Sequence, residues 1–233
     1  MSANVVMWDF DGTLASRPGL WGGCVLEVLD ERLPGHGITL EHVRAGMKGG
    51  FPWNRHEQAH PELAEPDAWW AVVTRLIERA LARCGVDAAH RRELAWEVRH
   101  RFIDGTRGWE VFADTRAALE LVAAAGWSSV ILSNHVPELA ALVDQLGISP
   151  QIERVFSSAL IGFEKPHPEA FRLAVAECGR PRRLWMVGDN PVADIAGAEA
   201  LGIPAVLIRG PGQAKRHAAD AAGAAALIVD DVR

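Results

Sequence analysis

Apolar residues along this chain follow two rhythms. Short runs at 5–8, 129–132, 152–156, 184–187, 205–208 and 227–229 are flanked by turn-forming or charged residues. Continuous apolar runs of this length predict strands buried on both faces, as in a parallel sheet. Between them, at 115–125, 137–146, 168–178, 192–201 and 214–221, apolar positions recur at helical spacing. Gly126, Gly147, Gly179 and Gly202 stand where a helix ends and a strand is due, and glycine is the usual left-handed helix stop. The alanine-rich end, 218–226, reads as part of this helix-and-strand pattern rather than as a flexible extension.

Strands alternating with helices predict βαβ units and an α/β fold, a Rossmann-like doubly wound, mostly parallel sheet. Residues 14–106 break the alternation. Helical patterns at 20–33, 40–46, 67–84 and 88–103 follow one another there without a clear strand, punctuated by Pro18, Pro34, Pro52, Pro61 and Pro66. This segment predicts an inserted helical cap over the carboxyl edge of the sheet. The expected division is a core of residues 1–14 and 107–233 and a helical cap of 15–106.

Composition narrows the classes of function. The net charge is −6 and the arginines are scattered, so no electrostatic footprint for nucleic acid is present. The first apolar run is far too short for a signal or membrane segment. The three cysteines form no C-x-x-C pair and read as free thiols of a reducing compartment. A cytoplasmic protein without nucleic-acid or membrane partners is expected, as a monomer or homodimer.

Candidate chemistry follows the predicted strands. Asp9 and Asp11 stand two apart in MWDFDGTL, and period-two alternation aims both carboxylates to one face. Two anions this close repel, so the site needs a cation or another means of neutralising them. Ser133-Asn134, Lys165-Pro166, and Gly188-Asp189-Asn190 with Asp194 also follow apolar runs, at the edge where open α/β sheets bind ligands. Each residue type suits phosphoryl transfer. A carboxylate can attack phosphorus, hydroxyl, amide and lysine donors can hold its oxygens, and further carboxylates can hold magnesium.

These four segments, in this order, resemble the four motifs of the haloacid dehalogenase superfamily of hydrolases, with the insertion matching that family's helical cap between motifs one and two. The resemblance implies Asp9 as nucleophile and Asp11 as general acid and base, with Thr13 supporting the loop and Asp11. It implies phosphate binding by Ser133, with Asn134 nearby, and Lys165 pairing with phosphate and nucleophile. Mg2+ would be held by Asp9, the backbone carbonyl of Asp11 and Asp189, with Asp194 as a ligand or as the anchor behind one. The dehalogenases of the family lack an acid at the position of Asp11, so the implied activity is a magnesium-dependent phosphatase. Its substrate would be a small phosphorylated metabolite, hydrolysed through an aspartyl-phosphate intermediate. A phosphomutase of the same fold and a non-catalytic phosphate-ligand-binding protein are the alternatives. A phosphorylation-dependent receiver module fits less well, because it has no large insertion and no late acidic pair.

Other residues receive plainer readings. His56-Glu57-Gln58-Ala59-His60 satisfies H-E-x-x-H, which binds zinc only on a stable helix. Pro52 and Pro61 and the lack of an apolar stripe predict a cap loop instead, near the substrate. Arg44, Lys48 and Trp53 are candidate substrate contacts from the cap. Trp69 and Trp70 are expected to pack its helices, and His135 reads as a helix-start residue.

Overall fold

The computed structural model describes residues 4–210, 212 and 214–231; residues 1–3, 211, 213 and 232–233 of the expected core lie outside the described residues. The chain opens with β1 (Asn4–Trp8) and β2 (Ala15–Ser16), then runs through α1 (Leu20–Arg32), α2 (Leu40–Met47), α3 (Pro66–Arg83) and α4 (Ala88–Ile103). It continues through β3 (Glu110–Val111), α5 (Thr115–Ala124), β4 (Ser128–Ser133), α6 (Leu139–Gln145), β5 (Arg154–Ser157), α7 (Ser158–Ile161) and α8 (Pro168–Glu177). The last elements are β6 (Arg183–Gly188), α9 (Gly197–Glu199), β7 (Ala205–Ile208), β8 (His217–Ala218) and α10 (Ala221–Asp230).

Six strands form one sheet in the order β5-β4-β1-β6-β7-β8, and each neighbouring pair is parallel. Period-two alternation sorts their side chains. Val6, Trp8, Ile131 and Val187 face the layer containing α5 and α10. Val5, Met7, Val130 and Met186 face the layer containing Phe171 of α8. Both faces are buried, which is why the strands read as unbroken apolar runs. The chain leaves β1 for β4 on one side and later returns to β6 on the other. The carboxyl end of β1 is therefore the switch point where such sheets form a ligand crevice.

The insertion departs and returns side by side. β2 and β3 pair antiparallel, with Ala15 opposite Val111 and Ser16 opposite Glu110. Arg17, buried beside this ribbon, donates from Nη1 to the carbonyl of Arg107 at 2.9 Å. The four helices bury Cys24, Val28, Trp69, Trp70 and Ile77 against one another and the core. Trp70 Nε1 donates to both carboxylate oxygens of Glu138, at 2.9 and 3.0 Å, fastening α3 to the loop before α6.

The carboxyl-terminal region corrects the sequence reading. The expected helix at 214–221 contains β8, and the expected strand at 227–229 is helical in α10. Asp220 caps that helix by accepting from Gly223 N at 2.8 Å, and Asp114 accepts from Ala221 N at 2.7 Å. Ala221, Ala224, Ala225 and Ile228 are the buried positions, a helical stripe that the run of small apolar residues had concealed. The expected helix at 192–201 is in part a π-helical turn, Pro191–Ala196.

Candidate active site

β1 ends at Trp8, and Asp9 continues it with its N–H donating to Val187 O at 2.8 Å. The chain then turns through Gly12, whose φ is +78°. A Cβ there would stand 2.4 Å from Asp189 Oδ2, so glycine satisfies both the backbone angle and the close approach. Gly188 serves the second need alone: a Cβ at that position would meet Asp194 Oδ2 at 2.2 Å.

Asp9, Asp11, Ser133, Asn134, Lys165, Asp189 and Asp194 all line one cavity of about 260 Å³ at the switch point. Asp9 is the hub. Its Oδ1 accepts from Ser133 Oγ and from Lys165 Nζ, each at 2.8 Å. Among the described residues no donor reaches its Oδ2. Lys165 Nζ also bonds Asp194 Oδ1, and Asp194 Oδ2 accepts from Asn190 N at 3.0 Å. One ammonium thus lies between two buried carboxylates.

Electrostatics follow from this crowding. Burial alone would push the Lys165 ammonium down, yet Asp194 and Asp9 more than offset it and hold its pKa above the ordinary value. Burial, with Asp9 and Asp194 adding to it against Lys165, raises Asp189 to about 7. Burial raises Asp194 to about 6 despite Lys165. Asp11 is pushed well above the carboxylate range by burial and then by Asp9 and Asp189.

The donor set fits a hard divalent cation. Oxygens of Asp9, Asp189 and Asp194 lie within 4.8 Å of one another, and among the described residues no nitrogen or sulfur ligand joins them. Three carboxylates with one lysine leave excess negative charge, which such a cation would offset.

Two expected contacts take another form. Asn134, in the same cavity lining, turns its amide to the loop of Lys165. Its Nδ2 donates to Lys165 O at 2.8 Å and its Oδ1 accepts from Lys165 N at 2.7 Å, clamping the backbone that presents the lysine. Thr13 supports the turn by its N–H to Phe10 O, at 3.2 Å. Its buried hydroxyl has no hydrogen-bond partner and is not bonded to Asp11.

The insertion walls the cavity with Leu20, Trp21, Trp53 and Phe102. Trp21 stacks on Phe102 with ring centroids 3.7 Å apart, and Trp53 on Phe51 at 4.4 Å. Arg44 and Lys48 are not in this cavity. They line an adjoining one of about 850 Å³ that shares Leu20 and Trp21 with it. The H-E-x-x-H string is not helical: it lies between the 3-10 turns Pro52–Arg55 and Pro61–Leu63. Neither histidine is among the residues lining this cavity, and His60 is tied by its backbone N–H to Gly162 O at 2.7 Å.

Sequence reasoning missed Leu20, Trp21, Phe102, Val136 and the buried Glu164. It also misread His135, which is no helix-start residue, since α6 begins four residues later. It lines the cavity, and burial depresses its pKa to about 3, so the ring is neutral. Glu164 is 2% exposed, and burial lifts its pKa to about 7 against the opposing effects of Ser158 and Lys165.

Glu164 makes a pH prediction. Its folded-state pKa exceeds the ordinary 4.5, so the folded protein keeps a proton that the unfolded chain releases, and stability falls as pH rises through this window. Glu164→Gln removes that fall. Urea unfolding should find the variant more stable by on the order of 2–3 kcal/mol near pH 8, with the difference vanishing near pH 4. Equal pH slopes in the two proteins would count against a buried, protonated Glu164.

A parallel α/β sheet with carboxylates and a lysine gathered at its switch point defines the class of protein. The chain belongs to the haloacid dehalogenase-like hydrolase family, whose pattern it matches over residues 3–202. A phosphoserine phosphatase from Thermus thermophilus is 32% identical over 160 residues, covering 67% of this chain and 61% of that relative, under two thirds of its length. A phosphoglycolate phosphatase from Caulobacter vibrioides is 26% identical over 211 residues, covering 89% of this chain and 80% of the relative. Among solved structures, a 2-haloacid dehalogenase from Pseudomonas syringae superposes with a TM-score of 0.69. It is 22% identical, covers 97% of this chain and 98% of that one, and attests the shared fold. Among the described residues no helix is long and apolar enough to cross a membrane.

Proposed function

We propose that this protein is a magnesium-dependent phosphatase acting on a small phosphate monoester. The observation that carries the reading is the pairing of Asp9, held through Oδ1 by Ser133 and Lys165, with a second carboxylate, Asp11, in the same cavity. Asp9 Oδ2, free of protein donors, attacks phosphorus. The ester P–O bond breaks, and the leaving oxygen takes a proton from Asp11. The Asp11 carboxylate then removes a proton from water, whose oxygen attacks the phosphorus of the aspartyl phosphate. The bond to Asp9 breaks and phosphate leaves. Ser133 and Lys165 offset charge on the phosphoryl oxygens.

Asp9 and Asp189, with the Asp11 carbonyl, would hold Mg2+, and Asp194 would anchor them through Lys165. Bound there, the ion supplies further neutralisation of phosphoryl charge. An alkoxide leaving group needs the proton that Asp11 offers, whereas a halide does not, which favours ester hydrolysis over dehalogenation. The phosphatase names of the relatives support the same choice. A cavity of about 260 Å³ walled by α1, α4 and Trp53 of the insertion suits a small leaving group, and the insertion acts as a lid that excludes bulk water.

The test is phosphate release from a panel of small esters, with and without Mg2+. Asp11→Asn should lower turnover by roughly 100- to 10,000-fold while isothermal titration still detects Mg2+ binding. Asp189→Asn should weaken the binding itself. Asp11→Asn losing Mg2+ as fully as Asp189→Asn would refute this division of roles.

A further inference from the structure

His135 stands in the catalytic cavity without an assigned task. Its backbone is pinned: its N–H reaches Ser158 Oγ at 3.2 Å, and its carbonyl accepts from Ser157 Oγ at 2.8 Å. The ring is caged by Phe10, Phe102 and Trp109, with centroids at 5.3, 5.8 and 5.6 Å. Both ring nitrogens are buried without a hydrogen-bond partner, and so is Asp11 Oδ1. Asp11 Oδ2 lies 3.7 Å from His135 Nε2.

An unsatisfied buried polar group carries an uncompensated desolvation penalty. A phenyl ring would fill an aromatic cage with no such cost. The imidazole is therefore not explained by packing, and its Nε2 faces the carboxyl group on which the proton transfers depend, 3.7 Å away. Catalytic hydrogen bonds are commonly long in the free enzyme and shorten when substrate is bound.

We propose that His135 is a positioning residue for Asp11, an inference that rests on the phosphatase reading above. Its Nε2–H donates to Asp11 Oδ2 once substrate fills the cavity. This bond uses one lone pair of Oδ2, and the proton given to the leaving group and later taken from water sits on the other, since Oδ1 is buried. The imidazole transfers no proton; it keeps one N–H throughout and fixes the carboxyl plane. The aromatic cage fixes the ring in place beside that carboxyl.

Leaving-group dependence separates this role from simple packing. A p-nitrophenolate departs with little help from an acid, whereas an alkoxide requires its proton. Values of kcat/KM report the steps up to departure, so p-nitrophenyl phosphate and an alkyl phosphate are compared in wild type, His135→Phe and His135→Gln. His135→Phe should lose about 10- to 100-fold more on the alkyl ester than on the aryl ester. His135→Gln, which retains an N–H donor, should recover much of that loss, while Mg2+ affinity changes little in either variant and the unfolding midpoint of His135→Phe rises because the unpaired imidazole is gone. Equal losses on both esters, or glutamine no better than phenylalanine, would overturn the proposal.

A measurement independent of turnover completes the test. The 15N shifts of the His135 ring, recorded with Mg2+ and orthovanadate, should report an Nε2–H tautomer that responds to Asp11→Asn. An Nδ1–H tautomer overturns the assignment even if the protein hydrolyses neither ester. Failure of the phosphatase reading is recognised separately, by wild-type inactivity across the ester panel.

Discussion

Asp9→Asn is expected to reduce phosphate release at least about 1,000-fold while leaving the protein folded. The amide keeps the shape of the carboxylate and can still accept from Ser133 and Lys165, so the contacts at Oδ1 need not be lost. What disappears is the nucleophilic oxygen. A second signature needs no substrate. Asp9 is among the charges that raise Asp11 and Asp189, so removing it should lower the pKa of both. Carbonyl 13C titration of the two side chains would detect that shift, and circular dichroism would establish folding. Substantial residual turnover by a folded variant would sink the nucleophile assignment.

Lys165→Met is expected to have the largest effect on stability. The ammonium is 2% exposed and bonds both Asp9 and Asp194, with Asp189 in the same acidic cluster. Replacing it with an apolar chain of similar length leaves buried carboxylates without their cation, a change that typically costs about 3–5 kcal/mol. The sign of the pH dependence is fixed. Without the lysine, the carboxylates of the folded protein bind protons more tightly than those of the unfolded chain. Removing the lysine raises Asp194 and Asp189 further above their values of about 6 and about 7, so the deficit relative to wild type should widen as pH rises above about 6 and shrink below it. Mg2+ should restore part of the lost stability, because it binds the folded cluster preferentially. Turnover should fall about 100- to 1,000-fold or more, the usual consequence of losing one donor to a developing anion. Chemical unfolding at several pH values, with and without Mg2+, measures the stability effects. A deficit under about 1 kcal/mol at neutral pH would mean that the lysine is not the counter-charge of this cluster.

Local strings of residues carried much of the site. Asp9 and Asp11 were readable because an apolar strand ends beside them, and Lys165, Asp189 and Asp194 because each follows another such segment. Asn134 was only half readable. Its place after β4 put it at the cavity, but the two bonds that tie it to the Lys165 backbone arise from a loop 31 residues away. Trp21 and Phe102 occupy ordinary helical positions in α1 and α4. Periodicity marks such residues as buried without indicating whether the helix turns them toward another helix or toward a substrate. His135 looked like the start of a helix because residues after a strand commonly cap one; the cage that holds it draws on Phe10, Phe102 and Trp109. At the carboxyl terminus, a run of alanines followed by Leu227, Ile228 and Val229 suited helix and strand equally. Contact with α5 and the caps at Asp220 and Asp114 chose the helix.

The sequence by itself determined the parallel α/β sheet, the helical insertion and the carboxylates and lysine of the switch point. Those properties depend on local periodicity and on residue type at the ends of strands. Only the tertiary structure decided which oxygen of Asp9 is occupied, which lysine contacts cross the site, and which aromatic rings enclose it. The reason is physical: hydrogen bonds over 124 and 156 residues of chain, and the shifted acidities that burial produces, depend on distances that no single segment contains.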